Sequence, residues 1–264
     1  MKNMKGGFQP RSVTRLAGFP RAEMIAELAQ GMSLIAAHVA NLDAGANILH
    51  EAGSPVPARA LKAISTEEAG KYLVLLDAAR CARSPEDLRK RQLARFSSHL
   101  AKGIYSETAW YRPRDLAQLE RDIGDLRLEA YLDGPNGADW IFRNVVESRR
   151  EESLYVDFVR TDDGETFWQS PGVLGDSGFA VTSDAVRLVG ALHRAGASTE
   201  AGLTVVDEIW HDFVPSSSTH WSEVEKRTYR TLEAWQQANL TAEATPADAR
   251  HILDSWTFPL HSLE

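Results

Sequence analysis

Two short runs place ionisable side chains at spacings that could move a proton or hold a phosphate. One is Glu67, Glu68 and Lys71; the other is Arg95, His99 and Lys102. Histidine changes charge nearest neutral pH and is the commonest general acid or base, while Arg and Lys are the usual partners of phosphate oxygens. A Glu-to-Lys pair three residues apart ordinarily supports a helix surface, worth about 0.2–0.5 kcal/mol. Here Glu68 and Lys71 fall on the side that also carries Leu61, Ile64, Leu75 and Ala78. An ionised group on such a side is tolerated only when paired and hydrogen-bonded. That pair is therefore either a structural ion network or a functional polar site. His99, taken alone, also fits an ordinary core or surface histidine. A carboxylate, two lysines and a histidine meeting in one place would shift one another's pKa values, as polar active sites do.

The elements that must position these groups read as helices. From about Arg21 to Glu51, Leu28, Met32, Ile35, Val39, Leu42, Ala46 and Leu49 recur at spacings of three and four, one apolar stripe on one long helix. Gly53, Pro55 and Pro57 end it and open a second helix, from about Pro57 to Ala82. Ser84 and Pro85 read as the cap and first residue of a third, reaching about Tyr105 with Leu93, Phe96, Leu100 and Ile104 inward. Short connections make consecutive helices antiparallel, so the second and third face each other. A fourth helix is expected from Arg114 to Leu132. Asp133, Gly134, Pro135, Asn136 and Gly137 then form the clearest breaker.

The expected organisation is an irregular segment over 1–20, a helical bundle over 21–133 and a mixed, mostly helical subdomain over 138–264. In the latter, Trp140 to Glu152 reads as helical, and a short hairpin falls near 153–168. Leu154, Val156 and Phe158 alternate, a turn of Thr161, Asp162, Asp163 and Gly164 follows, and Thr166, Phe167 and Trp168 return. Helices follow near Ser183 to Arg194, Ser198 to Phe213, Ser222 to Asn239 and Pro246 to Ser255. The fold class is mainly α.

Composition narrows the function classes. The 264 residues are 43% hydrophobic and 25% charged, ordinary globular values. A net charge of −8 argues against a surface that grips nucleic acid everywhere, although Arg83, Arg89, Lys90, Arg91, Arg95 and Lys102 make one basic stripe. The single cysteine, Cys81, excludes an internal disulfide and a thiolate metal cage. Met1 to Arg15 has no apolar run of signal-peptide length and no stretch approaches a membrane span, so a cytoplasmic protein is expected.

The ionisable runs also sit inside recognisable blocks. Ile64-Ser65-Thr66-Glu67-Glu68-Ala69-Gly70-Lys71 and Phe96-Ser97-Ser98-His99-Leu100-Ala101-Lys102 resemble the Glu-Glu-x-x-Lys and Phe-x-x-His-x-x-Lys signatures of AbiV proteins. Arg149-Arg150-Glu151-Glu152-Ser153-Leu154-Tyr155-Val156-Asp157-Phe158, followed by Ser170-Pro171, resembles that family's Leu-Tyr-Val-Asp segment. The likeness spans about residues 20 to 172. It implies a bacterial abortive-infection protein that halts phage multiplication by stopping gene expression at translation. It also implies kinship with the HEPN superfamily, up-and-down helical bundles that often dimerise and often cut RNA without a metal. A homodimer, an RNA or translation-machinery target and a phage protein as activator are the partners implied, with no cofactor. By this likeness His99 is the proton-transfer candidate, Arg95 and Lys102 the phosphate candidates, and Glu68 orients His99 or Lys71. The superfamily's Arg-x4-6-His motif is here Arg-x3-His, with Phe96 after the arginine; an interval of four still puts Arg95 and His99 on one helical face.

Weaker constellations point nowhere specific. His211 and Asp212 near Glu208, and His220 beside Trp221, lack the spacing of a zinc site. Gly172-Val173-Leu174-Gly175 lacks the setting of a phosphate loop. Trp110, Trp168, Trp210 and Trp221 read as core rather than as a stacking platform. Two functions fit: a latent ribonuclease effector, or a non-catalytic binder that sequesters a ribosomal or phage protein.

Overall fold

Helix α1 (Arg21–Glu51) buries Met24, Leu28, Met32, Ala36, Val39 and Ala46 along one stripe. Gly53, at φ +73°, ends it: its N–H donates to the His50 carbonyl at 2.9 Å and the Ser54 N–H to the Leu49 carbonyl at 2.9 Å. This left-handed cap needs a residue without a Cβ penalty and turns the chain sharply into the next helix. Helix α2 (Pro55–Arg80), with proline in its first turn, runs back along α1. From Ala69 onward only Lys71 escapes burial in α2, which makes this helix the axis of the molecule.

The chain is seen in a computed structural model that describes residues 12–110, 112–128, 130–133, 139–142, 144–160, 164–171 and 182–262. The single long third helix expected from Ser84 to Tyr105 is two helices. Helix α3 (Glu86–Ala94) passes through a 3-10 turn at Arg95–Ser97, and α4 (His99–Glu107) starts anew with Ser98 as its cap, the Ser98 hydroxyl accepting the Ala101 N–H at 3.2 Å. Serine competes for backbone hydrogen bonds and favours a cap over a helix interior. The tandem Ser97-Ser98 breaks the run for that reason.

Helix α5 (Leu116–Arg127), capped by Asp115, is shorter than expected, because Ala130–Asp133 (β1) pairs antiparallel with Asp139–Phe142 (β2). The helix expected from Trp140 thus begins as a strand; α6 (Val145–Leu154) starts only at the Asn144 cap. The second hairpin lies where the alternation placed it, as Asp157–Arg160 (β3) against Thr166–Gln169 (β4), with Leu154 still in α6. The breaker at 134–137, the turn residues 161–163 and the glycines at 172 and 175 lie outside the described residues.

Helices α7 (Asp184–Arg194), α8 (Glu200–Trp210), α9 (Trp221–Gln237) and α10 (Pro246–Ser255) complete the chain. Ser183, Thr199 and Thr245 cap three of them, and Thr245 with Asp248 forms a capping box. Helices α7 and α8 pack on α1 and α2, so residues on both sides of the expected 133–137 boundary share one core, from Ala17 to Leu260. Trp210 and Trp221 belong to that core; Trp110 and Trp168 do not, being 60% and 72% exposed. The protein is mainly helical, and no helix among the described residues is long and apolar enough to cross a membrane.

Candidate functional site

Three helices converge on one carboxylate. Glu67, on α2, accepts from His99 Nδ1 at 2.8 Å, from Lys102 Nζ, and at its other oxygen from Arg150 Nε at 2.9 Å. His99 and Lys102 stand one turn apart at the start of α4, and Arg150 comes from α6. Burial alone would raise the Glu67 pKa. Hydrogen bonds from Lys102 and Arg150, with the charges of Lys102 and His99, outweigh it and bring the pKa down from 4.5 to about 2. Glu67 is therefore a fixed anion at any physiological pH.

Small residues permit this convergence. A Cβ on Gly70 would stand 2.3 Å from the Lys102 carbonyl oxygen, and one on Gly103 would stand 1.9 Å from Val146 Cγ1. The first absence lets α4 lie against α2; the second seats α6 on α4. Ser106 Oγ donates to the Thr66 carbonyl at 2.8 Å, and Thr66 Oγ1 donates to Ser183 Oγ at 3.0 Å, which ties the same turn of α2 to α4 and to the cap of α7.

The resemblance has Glu68 orient either His99 or Lys71. In the structure Glu68 pairs with Lys71, whose ammonium lies 5.4 Å above the Phe96 ring, and the neighbouring Glu67 takes the position against His99. One residue is a 100° turn of a helix, too fine for an apolar-stripe argument to resolve. Arg95 is not brought to His99 either. It lies in the 3-10 turn and donates to the Leu260 carbonyl and to Gln92 Oε1, so the helical face assumed to carry both residues is interrupted between them. Lys102 reaches the cluster, yet its side chain is 4% exposed and it holds Glu67. Arg150 was legible only as part of a family block; nothing in its local pattern marked it as a partner of Glu67.

The cluster opens into a cavity of about 250 Å³. Arg59, Lys62, Arg149 and Arg150 line it against two carboxylates, Glu67 and Glu107, a cationic lining on an acidic protein. Arg149 pairs with Glu107 at 3.1 Å, and Lys62 with Asp43 at 2.6 Å. The His99 side chain is 45% exposed and lines the cavity. With Nδ1 committed to Glu67, Nε2 is the ring nitrogen left for a ligand. The volume is below the roughly 300–1,000 Å³ that encloses a drug-sized ligand.

The histidines proposed more weakly have local duties. His220 caps α9, its Nδ1 accepting the Ser222 N–H at 3.2 Å, and His211 Nδ1 lies 3.0 Å from the Glu208 carbonyl of its own helix.

The site thus lies in an antiparallel helical bundle, with a histidine at a helix start facing a polar interhelical cleft. Residues 27–182 fit the AbiV family model, and the chain belongs to the AbiV family of HEPN proteins, associated with abortive infection in phage defence. That span contains Glu67, His99, Lys102 and Arg150 and leaves α7 to α10 outside. No curated protein and no solved structure matches the chain.

Proposed function

We propose that this protein is a phage-defence effector that cuts RNA needed for translation, using its own side chains for acid–base chemistry. The observation that carries this reading is the Glu67–His99 pair at the mouth of a cationic cavity. A fixed carboxylate on Nδ1 selects the tautomer whose Nε2 accepts a proton and stabilises the imidazolium that results. Nε2 would take the proton of a ribose 2′-hydroxyl. The 2′-oxygen then attacks the adjacent phosphorus, the bond to the 5′-oxygen breaks, and that oxygen is protonated by the imidazolium or water. The products are a 2′,3′-cyclic phosphate and a 5′-hydroxyl. Arg149 and Arg150, on the cavity wall, are the candidates to stabilise charge on the phosphate oxygens, in place of Arg95 and Lys102.

A second reading, a non-catalytic binder of a ribosomal or phage protein, is favoured by one observation: Lys62, Arg149 and Arg150 each already hold a carboxylate, as in a structural lock. Phage plating on cells expressing wild type or His99→Ala, with RNA integrity followed through infection, separates the two. RNA breakage and phage protection that both vanish with His99 support the nuclease. Protection that persists in His99→Ala, or that operates while RNA stays intact, overturns it.

A further inference from the structure

Beyond the cavity, α6 runs out through Ser153 and Tyr155 into the β3–β4 hairpin, whose apolar side chains face water. Trp168 is 72% exposed and Phe158 55%, and Tyr155, Val156 and Phe167 are exposed as well. Phe158 and Trp168 are cross-strand partners with ring centroids 5.2 Å apart. Such a pair helps hold a two-stranded ribbon that is only marginally stable by itself. It does not require an indole left almost three-quarters in solvent.

The ribbon is joined to the cavity by more than the chain. The Arg150 guanidinium, which also holds Glu67, lies 5.9 Å from the centre of the Tyr155 ring. Cation-lined cavity, arginine over tyrosine, and exposed aromatic pair therefore follow one another along α6 and β3. Alternation of positive charge with open rings matches a polymer that alternates phosphates with flat bases. The small cavity makes the same point, because a strand held there must continue outside it. Unpaired bases can offer a face to Trp168 or Phe158, whereas paired bases are stacked on each other.

We infer that the β3–β4 hairpin is a stacking platform for unpaired bases next to a phosphate held by Arg149 and Arg150 beside His99, so that the ligand is single-stranded RNA. This rests on the nuclease reading for the placement of the strand. It is tested by binding as well as by cleavage, so the two can fail separately.

The test uses the full chain carrying His99→Ala, to keep RNA intact, and a short fluorescent single-stranded RNA, alone or annealed to its complement. Anisotropy should show the single strand bound more tightly than the duplex. Trp168→Ala and Phe158→Ala should each weaken single-strand binding about tenfold, and Trp168→Phe should retain most of it, with melting temperatures unchanged. Absence of RNA binding, equal affinity for duplex, or full affinity in Trp168→Ala overturns the inference. Cleavage by wild type that ignores Trp168→Ala also overturns it while leaving the nuclease standing. Trp168-dependent binding without cleavage does the reverse.

Discussion

Helix α2 carries two carboxylate centres ten residues apart, built from similar parts and opposite in kind. Around Asp77, everything is closed. Asp77 accepts from Arg80 at 2.9 Å, from the Tyr105 hydroxyl at 2.8 Å and from the Leu260 N–H at 2.7 Å, while Gln92 donates to Tyr105 Oη at 2.9 Å. The Arg80 guanidinium lies 3.9 Å from the Trp210 ring centre and 4.2 Å from that of Trp256. Around Glu67 the same ingredients, a carboxylate, cations and a proton-bearing ring, open onto a cavity, and the ring is partly in water. The lesson is that residue types do not distinguish a structural network from a chemical one. What distinguishes them is whether a group that can change protonation is left facing solvent.

Substitutions can break this contrast. The largest effect is expected at the closed centre: Asp77→Ala strands the buried Arg80 and should cost about 3–5 kcal/mol, read as a fall in thermal or urea midpoint. His99→Ala should do the opposite, lowering RNA cleavage about 10²- to 10⁴-fold while leaving the midpoint in place. A large loss of stability there would put the Glu67 cluster in the same class as the Asp77 one. Gly70→Val should cost about 1–3 kcal/mol by forcing α4 off α2, and should lower cleavage as well, since it moves Lys102 and His99 relative to Glu67.

The smallest effect is the pH dependence of Glu67. Its folded pKa, about 2, lies below the ordinary 4.5, so its contribution to stability is complete above 4.5 and is lost as pH falls towards 2. The stability gap between wild type and Glu67→Gln should narrow over that window in acid-unfolding curves. A constant gap would mean the carboxylate is not held by its cations.

Much of this was legible in the sequence, and the parts that were not have local causes. The facing of the Glu67–Lys71 and Phe96–Lys102 blocks follows from short connections between amphipathic helices. Caps such as Ser183 and Thr245 follow from residue type. The choice of Glu67 over Glu68 does not, because the break at Ser98 resets the phase of the helix that carries His99. Arg95 misled for the same reason: a spacing of four implies a shared face only if the helix between is continuous. The strand at Trp140 was hidden because residues 139–142 are too short to show a period. From sequence Trp168 reads as core because indole rings usually are, and only the outward position of the hairpin reveals otherwise.

The socket at Gly103 that receives Val146 has a consequence in time. A ribosome delivers α2 and α4 well before α6, so an emerging chain owns Glu67, His99 and Arg59 but not Arg149 or Arg150. The centre is finished only when α6 docks. A protein whose proposed work harms its own cell would thus remain harmless through most of its own synthesis.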